Sequence, residues 1–137
     1  MIETVVPIIT EVGEVYGRDA IFLHKVDVIN ESTFELTGDF NGTLCSNLKD
    51  GDDPKYRLTF KGVYLFKMIE LDFDEIEYKS SFDLIRNSRK ILRLKAWDKE
   101  NSIGKIDDTF NHYVFRTYDT VFEIIGKGFE LKLEEKV

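Results

Sequence analysis

The side chains able to do covalent or acid–base chemistry are few: one cysteine, Cys45, and two histidines, His24 and His112. Nucleophilic catalysis needs a nucleophile, a base within hydrogen-bond reach, and a group that orients the base. Cys45 stands at the end of a strand pattern with no glycine elbow or helix N-terminus to expose or acidify its thiol, so it reads as a small buried hydrophobe. His24 lies inside an apolar run and reads as a partly buried, hydrogen-bonded side chain. His112 has Asp107 and Asp108 nearby but no second catalytic group at a telling spacing, and reads as a surface or capping histidine rather than a general base. No residue is assigned a catalytic role.

Carboxylates are plentiful but poorly arranged for metal. Asp50-Gly-Asp-Asp lacks the twelve-residue spacing and terminal glutamate of a calcium loop and reads as a solvated turn. Glu70, Asp72 and Asp74 alternate, so on a strand they would leave one face about 7 Å apart. Like charges in a row need a positive answer: lysines of a neighbouring strand first, then a basic partner, and last a divalent ion. With one Cys and two separated His, zinc is excluded, and the dispersed glycines contain no phosphate-cradling loop. No cofactor and no metal are expected.

The charge balance sorts partners. Twenty-six acidic against nineteen basic residues give a net charge of −7, which repels phosphate backbones and argues against nucleic acid. The densest basic group, Arg86, Arg89, Lys90, Arg93 and Lys95, is outweighed by that acidic total. Residues 1–7 carry no export signal, and the greasiest stretch, 63–73, is interrupted by Lys67, Glu70 and Asp72, so a cytoplasmic protein without a membrane span is expected. A single cysteine fits a reducing compartment. The chain has 137 residues with eleven Phe and six Tyr, enough bulk for one core without disulfides, so one globular domain over 1–137 is expected. Its oligomeric state is left open.

The elements that must position these groups read mainly as strands. Phe34, Leu36, Phe40 and Leu44 alternate with polar residues, which is the period of a half-buried strand over 33–44. Gly38 and Gly42 fall on its apolar phase and indicate either a bend, the reading favoured, or a place where a neighbouring aromatic or backbone packs close. Residues 20–29 form the preceding strand of a hairpin turned at Asn30-Glu-Ser. From Tyr56 to Phe73 the apolar phase moves from even to odd positions, so a bulge or turn is placed between Gly62 and Lys67. Residues 80–88 read as a short helix capped by Ser80 or Ser81, 91–97 as a strand, and 98–104 as a polar loop. Strands follow over 110–117 and 129–133. Residues 119–125 fit either a short helix capped by Asp119 or a strand closing a hairpin through Gly126-Lys127. The expected class is α+β, mainly β: a curved antiparallel sheet with one or two short helices.

Two stretches, 80–89 (Ser-Ser-Phe-Asp-Leu-Ile-Arg-Asn-Ser-Arg) and 112–125 (His-Tyr-Val-Phe-Arg-Thr-Tyr-Asp-Thr-Val-Phe-Glu-Ile-Ile), resemble segments of small uncharacterised bacterial proteins, some of them similar to immunity proteins of toxin systems. The resemblance covers about a third of the chain. It implies a bacterial source and an interaction role, and carries no functional residue across.

Two functional readings follow. The first is a non-enzymatic protein-binding domain, immunity-type, whose acidic face at Glu70, Asp72, Asp74 and Glu77 meets a basic protein partner. The second is a small-ligand binder or simple enzyme using a cavity in the curved sheet, reached by His112, Tyr113 or Tyr118.

Overall fold

The alternation at 33–40 does make a strand, and its partners show how the chain is layered. In the computed structural model, which describes residues 2–134, β1 (Thr4–Pro7) is followed by the hairpin β2 (Ile21–Asn30) and β3 (Thr33–Phe40), then β4 (Lys55–Lys61), β5 (Leu65–Glu70), β6 (Phe82–Arg86), helix α1 (Arg89–Glu100), β7 (Asn111–Arg116), β8 (Thr120–Gly126) and β9 (Gly128–Glu134). All pairings are antiparallel. They form a five-stranded sheet in the order β1-β6-β7-β8-β5 and a four-stranded sheet in the order β2-β3-β4-β9. The mainly-β α+β class therefore holds, but the protein has two sheets where a single bent one is expected.

The change of apolar phase marks the exchange between those sheets. β4 ends at Lys61, the chain turns at 62–64, and β5 joins the other sheet. Tyr56, Leu58 and Phe60 of β4 and Phe66 of β5 face the shared core, whereas Ile69 turns outward to a second apolar cluster. A second exchange occurs at Gly126-Lys127. Residues 119–125 are strand β8, but β8 pairs with β7 and β5 while β9 pairs with β4, so Gly126-Lys127 is a crossover and not a hairpin. The two crossovers touch, with Tyr64 N–H donating to Ile125 O and Lys127 N–H to Lys61 O.

The space between the sheets is filled by rings. Tyr56, Phe60, Phe82, Tyr113, Phe115 and Phe122 are buried there and meet largely edge-on or tilted, the arrangement the ring quadrupole favours. At Gly38 the cause is close approach more than curvature. A Cβ there would collide with the Phe22 carbonyl oxygen and crowd the Tyr56 hydroxyl, which donates to that oxygen at 3.0 Å. The irregularity lies across the ladder, where the pairing skips His24 between Leu23 and Lys25. His24 is consequently half exposed, with its Nε2 2.9 Å from Asp39 Oδ2.

Residues 80–88 and 91–97 exchange the roles expected of them. Ser80 and Ser81 do not cap a helix: Ser80 closes a turn onto Asp83, and 82–86 is a strand buried between neighbours. Ser88 is the true cap, its Oγ accepting from Ile91 N–H, and α1 runs from Arg89. Lys90, Ile91, Leu94, Lys95 and Asp98 are its sheltered positions, a spacing of three and four that outweighs the shorter two-residue alternation of Leu92, Leu94 and Ala96. Asp98 then accepts from Lys105 and Ile106 N–H and folds the following loop back.

Replacing Gly38 with Ala is expected to destabilise the fold by about 1–3 kcal/mol, because backbone must move to admit the methyl group. Urea unfolding followed by tyrosine fluorescence measures it, and an unchanged midpoint would show that the β2–β3 ladder yields freely.

Candidate functional site

The candidate residues meet most closely at one end of the sandwich, where loops 16–20, 70–78 and 117–120 come together. They are stitched by backbone: Leu71 N–H donates to Asp119 O, Tyr118 N–H to Ile21 O, and Glu70 lies opposite Thr120 in the ladder. Side chains complete the joint. Tyr78 Oη accepts from Gly17 N–H at 2.7 Å, and Arg18 donates to Tyr118 O while lying over that residue's ring at 4.7 Å. Tyr16 packs edge-on against Tyr78, and Phe22 stacks on Tyr118. All four rings are nevertheless exposed, Tyr16 by 58% and Tyr118 by 40%. Around them stand the exposed carboxylates of Asp19, Glu70, Asp72, Glu77 and Asp119.

The predicted acidic row is thus redistributed. β5 stops at Glu70, a short 3-10 turn takes Leu71–Phe73, and Glu70 turns back to accept from Asp72 N–H. Asp74 turns its carboxylate away from solvent. Its carboxylate takes Arg116 Nε–H at 2.7 Å, so the positive answer to the acidic run is a buried arginine of β7 and not a strand lysine.

Arg116 is the support beneath this end. Its five N–H donors go to Asp74, to Asp83, and to the carbonyls of Ser80, Ile76 and Glu77. The guanidinium also lies 5.0 Å from the Tyr78 ring. Asp83, wholly buried, accepts from Lys79 N–H, Ser80 N–H and Ser80 Oγ–H as well. Segment 74–80 is therefore held to the sheet by charge-assisted bonds, and the tyrosine it carries is set in place.

Of the predicted pocket residues, only Tyr118 is at this end. Tyr113 and His112 point to opposite sides of β7, Tyr113 into the filled core with its phenol pKa raised by burial. His112 is only 4% exposed, so the surface or capping reading is overturned. Its Nδ1 meets Ser88 Oγ at 2.7 Å and its Nε2 meets Glu123 Oε1 at 2.9 Å, with Lys90 Nζ 2.7 Å from the same carboxylate oxygen. The two ring nitrogens thus join the Ser88 hydroxyl on one side to the Glu123 carboxylate on the other. Ser88 and His112 resemble a nucleophile and base, yet Ser88 is buried and already caps α1, so the chain of bonds ties the helix to the sheet. Asp107 and Asp108, expected near His112, instead bind Thr109 and Lys95. Cys45 is buried, and burial followed by Asp53 pushes its thiol up to about 11, which suppresses thiolate chemistry. Among the described residues no three His, Cys, Asp or Glu side chains are grouped to hold a metal, and no helix is long and apolar enough to cross a membrane.

One signal for the missed groups was present. Once 119–125 is paired with β7, His112, Val114 and Arg116 share a face with Val121 and Glu123, and polar residues on both sides of a valine require partners from a covering layer.

Substituting Arg116 by Met is expected to cost about 3–5 kcal/mol of stability, since it leaves Asp74 and Asp83 buried without their cation. Equilibrium urea denaturation at pH 7 measures this. Glu123 supplies a pH dependence. The His112 hydrogen bond holds its carboxyl down to about 2 against the opposing effect of burial, with Lys90 adding a second bond and a charge. Because the folded value lies below the ordinary 4.5, the stabilisation is complete above that pH and is lost as pH falls through 4.5 toward 2. The expected loss is about 3 kcal/mol, and Glu123→Gln should flatten that part of the profile; an equally steep fall in the variant would assign the acid lability elsewhere.

Compared with known proteins, the chain matches no protein-family model, no curated protein and no solved structure.

Proposed function

We propose that this chain is a non-enzymatic protein-binding domain of the immunity type, acting in the cytoplasm, which sets the tyrosine-rich, acid-rimmed end of its sandwich against a basic protein partner. One observation carries the reading: Tyr16, Tyr78, Tyr118 and Arg18 are exposed on three loops that hydrogen bonds fasten to one another. Tyrosine and arginine are the side chains in which binding energy concentrates at protein interfaces. Their geometry is set before binding, by the Gly17–Tyr78 bond and the Arg18–Tyr118 contact, so little side-chain freedom is lost on association. Asp19, Glu70, Asp72, Glu77 and Asp119 give the rim the sign that attracts a cationic surface and repels an anionic one. The resemblance of residues 80–89 and 112–125 to small uncharacterised bacterial proteins, some of them similar to immunity proteins, is in keeping with the same reading.

The test is co-expression with the product of the adjacent reading frame, followed by calorimetry on the purified pair. A stoichiometric complex is expected whose association slows as salt is raised. Tyr16→Ala and Tyr118→Ala together are expected to weaken it by about 2 kcal/mol or more, and Asp72→Lys to reduce the association rate. A complex indifferent to all three changes would place the interface elsewhere, and failure of a basic neighbour to bind would remove the reading.

A further inference from the structure

Beside this end, on the outer face of the five-stranded sheet, α1 and residues 73–77 wall a groove of about 660 Å³. That volume is in the range of sites for small organic molecules. The floor is apolar, made by Val5, Ile69, Ile76 and Ile85, with the ring of Phe73, 75% exposed, at its margin. Above the floor the side chains are charged, and their pairing is uneven.

Four carboxylates at the groove are already engaged. Asp74 binds Arg116, Glu123 binds His112 and Lys90, Glu77 pairs with Lys79, and Glu3 accepts from Arg89 N–H at the start of α1. The side chains of three cations are not: among the described residues Lys67 Nζ and the guanidinium nitrogens of Arg89 and Arg93 have no carboxylate oxygen within 4.0 Å, although Glu3 Oε1 lies on the Arg89 backbone N–H. Glu75, and Glu3 whose charge a backbone N–H does not neutralise, are the two acids of the lining left to oppose three cations, so the uncommitted charge of the groove is positive by one in a chain whose total is −7. Arg89 and Arg93 are four residues apart on α1 and repel one another. Lys67 reaches the same space from the opposite wall, since it pairs across the ladder with Glu123 on β8. Between the sheets the buried rings pack against one another, whereas this outer groove combines an apolar bed with unneutralised cations on two sides.

We propose that the groove binds a small amphipathic anion: an apolar body lying on Val5, Ile69, Ile76 and Ile85, with a carboxylate or phosphate headgroup held between Lys67 and the Arg89–Arg93 pair. Charge-assisted bonds from guanidinium to such a headgroup are among the strong polar contacts available to a protein. The headgroup also relieves the repulsion between the two arginines. The groove shares Glu77 with the rim of the proposed protein interface, but its argument does not rest on that reading, and either can fail without the other.

The probe is 1-anilinonaphthalene-8-sulfonate, an aromatic anion, titrated into the full chain. One saturable site with enhanced, blue-shifted fluorescence is expected, displaced by octanoate or octyl phosphate and not by octylamine or octyl glucoside. Displacement by octanoate alone assigns a carboxylate headgroup, and by octyl phosphate alone a phosphate. The variant Arg89→Glu/Arg93→Glu is expected to bind the probe about tenfold more weakly or less, the loss of at least one charge-assisted contact. Both side chains are exposed, and acids near a helix N-terminus favour the helix, so the variant keeps its fold; an unchanged thermal unfolding curve verifies that. Equal displacement by all four octyl compounds, no saturable binding, or full affinity in the variant would each overturn the proposal.

Discussion

A guanidinium removed from water must find an acceptor for each of its five N–H groups, and the architecture of one whole side of this protein follows from how Arg116 does so. The sheet supplies only one carboxylate within reach, Asp83 on the neighbouring β6. The remaining acceptors come from chain that has already left β5: Asp74 and the carbonyls of Ile76, Glu77 and Ser80. Segment 74–80 is therefore drawn across the outer face as the coordination shell of one cation. With it come Leu71 and Ile76, which close over Ile85, Val114 and Val121, and Tyr78, which reaches Gly17. Remove the charge and neither the apolar cover nor the exposed tyrosine has a reason to be where it is.

A second polar chain does the same for the helix. Lys90, Glu123, His112 and Ser88 run from α1 across two strands and back to the helix cap. Leu92 and Trp97 of α1 remain exposed, so the helix relies on this anchored start, and on Asp98 at its other end, as well as on its narrow apolar stripe. Polar residues of the central strands thus act inward. This is why β7 and β8 are buried along nearly all their length while carrying His, Arg and Glu.

That arrangement also explains what the sequence revealed and what it concealed. Strands with one wet face were legible from period two, at 129–133 and at 33–44, although the latter stops at Phe40 and gives way to a 3-10 turn. The break after Gly62 was legible from the change of apolar phase, but not that it carries the chain into a second sheet. Segments governed by a single polar contact were not. Ser80 and Ser81 have the composition of a helix cap, and only the presence of Asp83 as a buried acceptor turns them into a strand-leading turn. Ile91 to Trp97 alternates well enough to pass for a strand, while the spacing of Ile91, Leu94 and Asp98 is helical, and choosing between them requires knowing that Ser88 caps. His112 looked solvent-facing because its partners, Ser88 and Glu123, come from other elements. The acidic run 70–77 was seen as a set but not as divided between surface and interior, since the dividing agent, Arg116, is forty residues away in the chain.

The two touching crossovers, at 62–64 and at Lys127, bear on the order in which the molecule can assemble. The hairpin β2–β3 and then β4 can align while only the first half of the chain exists, but their sheet then ends in an unpaired edge at β4 until β9 arrives. The other sheet needs β8 between β7 and β5, strands that lie on either side of α1 in sequence. Most pairings that define the fold are therefore distant along the chain, and the loop-closure entropy falls due before the aromatic core can compensate it. On a ribosome such a polypeptide leaves β4 available to foreign strands until β9 has emerged.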